Sequence, residues 1–136
     1  MFREYGDRAH FVLVYIREAH PDDGWQVPKN TREGVVVNQP KTDAERDAVA
    51  HSCVAKLSID LPTVVDDMKD STEKAYGAWP DRLFVVGADG KLVYRGGKGP
   101  RGFLPAEAEK ALRVTLGLPE SGGVAKPKKG GGGRRR

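Results

Sequence analysis

The sequence predicts an α/β layered fold, on three observations. His10-Phe-Val-Leu-Val-Tyr-Ile16 is a short continuous apolar run rich in β-branched and aromatic residues, which reads as a buried strand of a mostly parallel sheet. Helix-like and strand-like segments alternate after it. The last structured part is a hairpin followed by a helix. Arg82–Val86 and Lys91–Arg95 are joined by Gly-Ala-Asp-Gly, and Leu104, Ala108, Ala111, Leu112 and Leu116 fall on one helical face.

Met1–Asp7 reads as the last turns of a helix, ending on Gly6 as a left-handed cap. After the first strand, residues 19–34 are polar and broken by Pro21, Gly24, Pro28 and Gly34, which predicts a long loop. Val35–Val37 reads as a short strand or turn. Thr42-Asp-Ala-Glu45 is a capping box that opens a helix to about Leu57. Pro62–Asp66 is a second short strand. Asp70-Ser-Thr-Glu73 opens a short helix that closes at Gly77. Pro105 stands in the first turn of the last helix. One domain is expected over residues 1–118. Residues 119–136 are expected to be a disordered tail rich in Gly, Lys and Arg.

The net charge of +4 is a property of the tail. Removing the six positives of residues 121–136, which hold no acid, leaves residues 1–120 at −2. A specific nucleic-acid function is therefore not expected. No apolar run approaches the ~18 residues of a membrane span, so no membrane is expected among the partners. No secretory signal is visible at the start. The single cysteine, Cys53, cannot form an internal disulfide, which fits a reducing compartment, and the cytoplasm is the expected location. Its helix carries no Cys-x-x-Cys motif and no flanking basic pair, so a small, half-buried apolar role is expected for it. The spacing of His10, His51 and Cys53 suggests no metal site.

Candidate chemistry gathers after the first strand, because ligands of open α/β sheets bind beyond the carboxyl ends of the strands. A histidine can give or take a proton at neutral pH, and Glu18 can orient His20 or relay its proton. Trp25 is a candidate for lining a pocket for an aromatic ligand, or for anchoring the loop by packing. Asp22, Asp23, Asp66 and Asp67 are read as solvated or helix-capping carboxylates.

Two groups of motifs carry a resemblance. Leu61-Pro-Thr-Val-Val-Asp66, Ala75-Tyr-Gly-Ala-Trp-Pro80 and Arg82–Val86 with Asp89–Tyr94 look like the second half of peroxiredoxin-like and reductase members of the thioredoxin superfamily. Pro80 falls where that superfamily places a cis-proline. Tyr15-Ile-Arg-Glu-Ala-His-Pro-Asp-Asp-Gly-Trp25 and Tyr94-Arg-Gly-Gly-Lys-Gly-Pro-Arg-Gly-Phe103 resemble the signatures of the iodothyronine deiodinases, over residues 1 to about 116. The resemblance implies a thioredoxin-like fold and an oxidoreductase that removes iodine reductively, using a selenocysteine or cysteine. It implies proton-relay roles for Tyr15, Glu18 and His20. It implies a substrate contact for Lys98, where the family usually has Arg. Arg101 and Arg82 are further basic candidates. It implies an external thiol reductant, no bound organic cofactor, and a small aromatic or halogenated substrate, and it admits a homodimer. A general thiol peroxidase or reductase and an inactive binding module are the alternative readings.

In that family the nucleophile precedes the point corresponding to Met1. The expectation is that a nucleophile-bearing central strand, and most of its helix, lie upstream of this chain. A selenocysteine codon read as a stop would account for such a start. Without that strand, His10–Ile16 and Arg82–Val86 lose a common neighbour.

Overall fold

A computed structural model describes residues 1–32 and 36–120. The element order is α1 (Phe2–Tyr5), β1 (Leu13–Tyr15), α2 (Pro28–Arg32), α3 (Asp43–Lys56), β2 (Thr63–Val65), α4 (Ser71–Tyr76), β3 (Phe84–Val86), β4 (Leu92–Arg95) and α5 (Pro105–Thr115). The mixed α/β class and the order of the main elements agree with the sequence reading. Val35, and the tail beyond Glu120, lie outside the described residues, and Val36 and Val37 form no regular element.

The strands do not form one sheet. β1 and β2 pair in parallel, with Val14 opposite Val64. β3 and β4 form a separate antiparallel hairpin, with Val85 opposite Tyr94 and a register irregularity at Val85/Val86. Leu13 donates its N–H to Pro62 O at 2.9 Å, and Tyr15 O accepts from Asp66 N at 2.8 Å. Backbone groups alternate sides along a strand, so those of Val12, Val14 and Ile16 point away from β2. Among the described residues, nothing pairs with that outer edge of β1 or with the outer edge of β3.

This corrects the expectation of a buried strand in a mostly parallel sheet. Val12 is 55% exposed and Val64 51%, because each strand is covered on one side only. Two open apolar edges of this kind are templates for pairing with another chain. The 136-residue chain is therefore expected to self-associate at micromolar concentration in analytical ultracentrifugation. A monomer with a sharp, cooperative thermal transition would contradict this.

The largest buried apolar groups lie under α5. Ala108 and Leu112 are buried on its inner face, which packs on β3 and β4. Leu104, expected on that face, is half exposed at the N-cap. Tyr5 of α1 is buried against the same helix. Its hydroxyl donates to Glu109 Oε1 at 2.9 Å and accepts from Arg113 Nη1 at 2.7 Å. Gly6 is right-handed, with φ −65°, so the left-handed cap expected there is absent and its N–H simply continues the turn to Phe2 O. The left-handed glycine is Gly77, φ +60°, which ends α4 as the sequence predicts.

Two helices start on caps of different kinds. At α3, Thr42 Oγ1 accepts from Glu45 N at 3.2 Å, and Glu45 Oε2 accepts from Lys41 N at 2.7 Å, so the predicted capping box forms one residue displaced on its return bond. At α4 the predicted cap, Asp70, makes no side-chain cap bond and has φ +57°. Asp66 takes that role, accepting from Thr72 N at 2.9 Å and Glu73 N at 2.8 Å, while Asp67 accepts from Ser71 N. The loop expected over 19–34 contains α2, which begins on Pro28, whose missing N–H costs nothing at a first helical position.

Burial alone would push the Asp66 carboxyl up, but the N–H groups of Glu73, Thr72 and Asp67 outweigh it and hold it below the usual carboxylate range. A depressed carboxyl stabilises the fold above its unfolded value and loses that contribution as pH falls through the folded one. Acid unfolding followed by circular dichroism is therefore expected to begin below about pH 4. In Asp66→Asn that loss is expected to be smaller, with stability at neutral pH reduced by about 1 kcal/mol.

Candidate active site

β1 ends at Tyr15, and the turn after it presents three side chains in sequence. Tyr15 donates its hydroxyl to Glu18 Oε1. Glu18 is half-buried. Burial pushes its carboxyl above the usual range, and the nearby His20 pulls it back only in part. A carboxyl moved toward neutrality in this way exchanges protons more readily at physiological pH.

His20 Nδ1 lies 3.1 Å from Trp25 O. A carbonyl can only accept, so this bond requires the proton on Nδ1 and leaves Nε2 as the basic nitrogen. The ring of His20 stands edge-to-face on Trp25, with centroids 4.6 Å apart. Trp25 itself is 71% exposed, so it braces the histidine from the solvent side rather than anchoring a core. The structure thus joins Tyr15 to Glu18, and His20 to Trp25, at the carboxyl end of β1.

The remaining sequence candidates lie on other segments. Lys98 and Arg101 sit exposed in the turn after β4, where Gly102 N donates to Lys98 O at 2.9 Å. Among the described residues, neither hydrogen-bonds or ion-pairs with Tyr15, Glu18 or His20. The Trp79–Pro80 peptide is cis, as is Gly99–Pro100. Cys53 is half-buried on α3. Its thiol is pushed up first by burial and then by the negative charge of Glu18, the opposite of what activates a thiolate. Among the described residues, no group of three or more His, Cys, Asp or Glu side chains is arranged to hold a metal ion.

Sequence reasoning missed Arg17. Its Nε donates to Glu73 Oε2 at 2.6 Å, and its guanidinium lies 5.1 Å from the centroid of the Trp79 ring. Glu73 is buried, so this pair ties the turn bearing Glu18 to α4 and to the Trp79–Pro80 segment. The only signal for it in the sequence is a charge between Tyr15 and Glu18, which does not name a partner 56 residues away.

The class these features define is a mixed α/β protein with a tyrosine, a half-buried carboxyl and a histidine gathered beyond the end of β1. The family model for iodothyronine deiodinase matches residues 1–115, and the chain belongs to that family. Thyroxine 5-deiodinase of Gallus gallus is 38% identical over 104 residues, which is 76% of this chain and 38% of that protein. Type II iodothyronine deiodinase of Neoceratodus forsteri is 37% identical over 117 residues, covering 85% of this chain and 43% of the relative. The enzyme of the same name from Rattus norvegicus is 36% identical over 118 residues, with 85% and 44% covered. The chain therefore spans about two-fifths of the length of these relatives. No helix among the described residues is long and apolar enough to cross a membrane.

Proposed function

We propose that this chain is the proton-handling and substrate-contacting part of a deiodinase-type reductive dehalogenase, whose nucleophile is a selenocysteine or cysteine encoded upstream of Met1. The observation that carries the reading is the Tyr15–Glu18 hydrogen bond beside His20, with a carboxyl shifted toward neutrality. Reductive deiodination replaces a ring carbon–iodine bond with carbon–hydrogen. The selenolate or thiolate takes the iodine, the carbon takes a proton, and two external thiols become a disulfide as iodide leaves. Tyr15, Glu18 and His20 handle the proton. Lys98 and Arg101 contact an anionic end of an iodinated aromatic substrate, and Trp25 contacts its ring. No organic cofactor is needed, and a reducing compartment such as the cytoplasm suits the thiol step.

The unpaired edges of β1 and β3 support the same reading in structural terms. A thioredoxin-like arrangement places one strand between them, and that strand is the one that leads to the nucleophile. Edges left open with Val12 and Val14 exposed are what the absence of such a strand produces.

The coding sequence ahead of the Met1 codon tests this first. An in-frame UGA or cysteine codon followed by continuous coding sequence is expected there, and its absence rules the reading out. The completed protein is then assayed with dithiothreitol against an iodophenol and against hydrogen peroxide. Iodide release supports the dehalogenase. Turnover of peroxide alone replaces it with a thiol peroxidase, and turnover of neither leaves a binding module.

A further inference from the structure

Side chains alternate across the β3–β4 hairpin, and one face of it has no place in the proton-handling group. Arg82, Phe84 and Val86 follow at every second position, and Arg95 is the cross-strand partner of Phe84. α4 packs on this face through Tyr76, whose ring stands edge-to-face on Phe84 at 5.0 Å between centroids.

Both arginines converge on Gly77. A β-carbon built there would lie 2.8 Å from Arg95 Nη2 and 3.7 Å from Arg82 Nη1. Among the described residues, neither guanidinium pairs with a carboxylate. Arg95 donates one bond, to Tyr76 O at 3.2 Å, which caps the end of α4 and uses one of its five donors. Arg82 Nε is buried with no acceptor at all. A buried guanidinium donor left unmatched is costly, and two like charges directed at one point repel each other. An oxyanion between them relieves both conditions, because the planar fork of arginine matches the two oxygens of a carboxylate.

The surroundings select what carries that oxyanion. Arg95 stands at the edge of a cleft of about 240 Å³ lined by Ala75, Tyr76, Val86, Gly90 and Leu92. Its lining side chains are apolar apart from Arg95 and the Tyr76 hydroxyl. The volume lies just below the ~300 Å³ at which drug-sized pockets begin, which suits a single ring rather than two. We propose that Arg82 and Arg95 form an anion subsite at Gly77 that takes a small carboxylate with an apolar body, the carboxylate on the guanidinium groups and the body against Tyr76, Val86 and Leu92. This subsite is separate from Lys98 and does not depend on the dehalogenase reading, because its test requires no turnover.

The test is a titration of the full ¹⁵N-labelled chain with sodium benzoate, observing the Arg82 Nε–Hε and Gly77 amide cross-peaks. Both are expected to move saturably. Acetate, with the same head group and no ring, is expected to bind more weakly, as is inorganic phosphate. Arg95→Met is expected to weaken benzoate at least about tenfold, since it removes a charge-assisted donor pair from an exposed position without disturbing the core. Arg82→Lys, which keeps the charge and loses the fork, is expected to weaken it as well. Lys91→Met removes an equal charge from the exposed hairpin tip and is expected to change nothing. Phosphate binding as tightly as benzoate would overturn the apolar-body assignment. Equal weakening by Lys91→Met, or shifts that bypass Arg82 and Gly77, would overturn the subsite and assign anion binding to general basic charge.

Discussion

Arg46→Ala is expected to cost about 3–5 kcal/mol and to remove any cooperative unfolding transition, because it breaks a buried charge network from one side. Arg46 is 2% exposed on α3. Its Nη1 donates to Asp66 O and Asp67 O, and its Nη2 lies 3.0 Å from Asp70 Oδ1. Those acceptors form the approach to α4, whose first turn is capped by the Asp66 side chain. One guanidinium thus fastens α3 to the segment between β2 and α4. Truncation leaves two carbonyls and a largely buried carboxylate without their donor. A small domain holds only about 5–15 kcal/mol in total. Urea denaturation followed by circular dichroism measures the effect. A midpoint in Arg46→Ala matching that of the parent chain would show that water replaces the arginine at no cost.

Glu18→Gln carries the largest expected effect on chemistry. In the completed protein it is expected to lower kcat for iodide release by about 10²–10⁴-fold, the range for loss of a positioned proton-transfer group. The amide is nearly the size of the carboxyl and still accepts a hydrogen bond from Tyr15, so folding is expected to persist. The pH–rate profile discriminates between roles. Burial places the Glu18 carboxyl above the ordinary range, so one limb of the parent profile is expected to belong to it and to vanish in the variant. A profile that keeps both limbs, or a rate within threefold of the parent, would remove Glu18 from the proton path.

Local signals were legible in the sequence and non-local ones were not. The Thr42–Glu45 box, the proline at the start of α5 and the glycine at the end of α4 each act within one turn of chain, and each appears close to where the residues predict. The hairpin was legible for the same reason. Asp66 was legible only as one of four carboxylates read as solvated or helix-capping, because its cap bonds reach six and seven residues ahead, past a nearer carboxylate that looked better placed. Nothing in the sequence singled out Arg46 or Arg17. Their partners lie 20 and 56 residues away, and no pattern of period 2 or 3.6 reports such a distance. At the candidate site, motifs pointed to Tyr15, Glu18 and His20 together. The exposure of Trp25 and its bracing of the His20 ring emerged only from the geometry.

The Arg17–Glu73 pair gives the site a dependence on ionic strength. The Arg17 side chain is 43% exposed, whereas that of Glu73 is 9% exposed. Salt screens the arginine end within a Debye length of about 8–10 Å at physiological concentrations, while the carboxylate stays in a poorly solvated position. This bond holds the turn carrying Glu18 to α4, and the same guanidinium lies over the Trp79 ring. Dilute buffer favours the tethered arrangement, and concentrated salt loosens it from the arginine side. Rates and affinities measured at different salt concentrations therefore sample the two segments held together to different degrees.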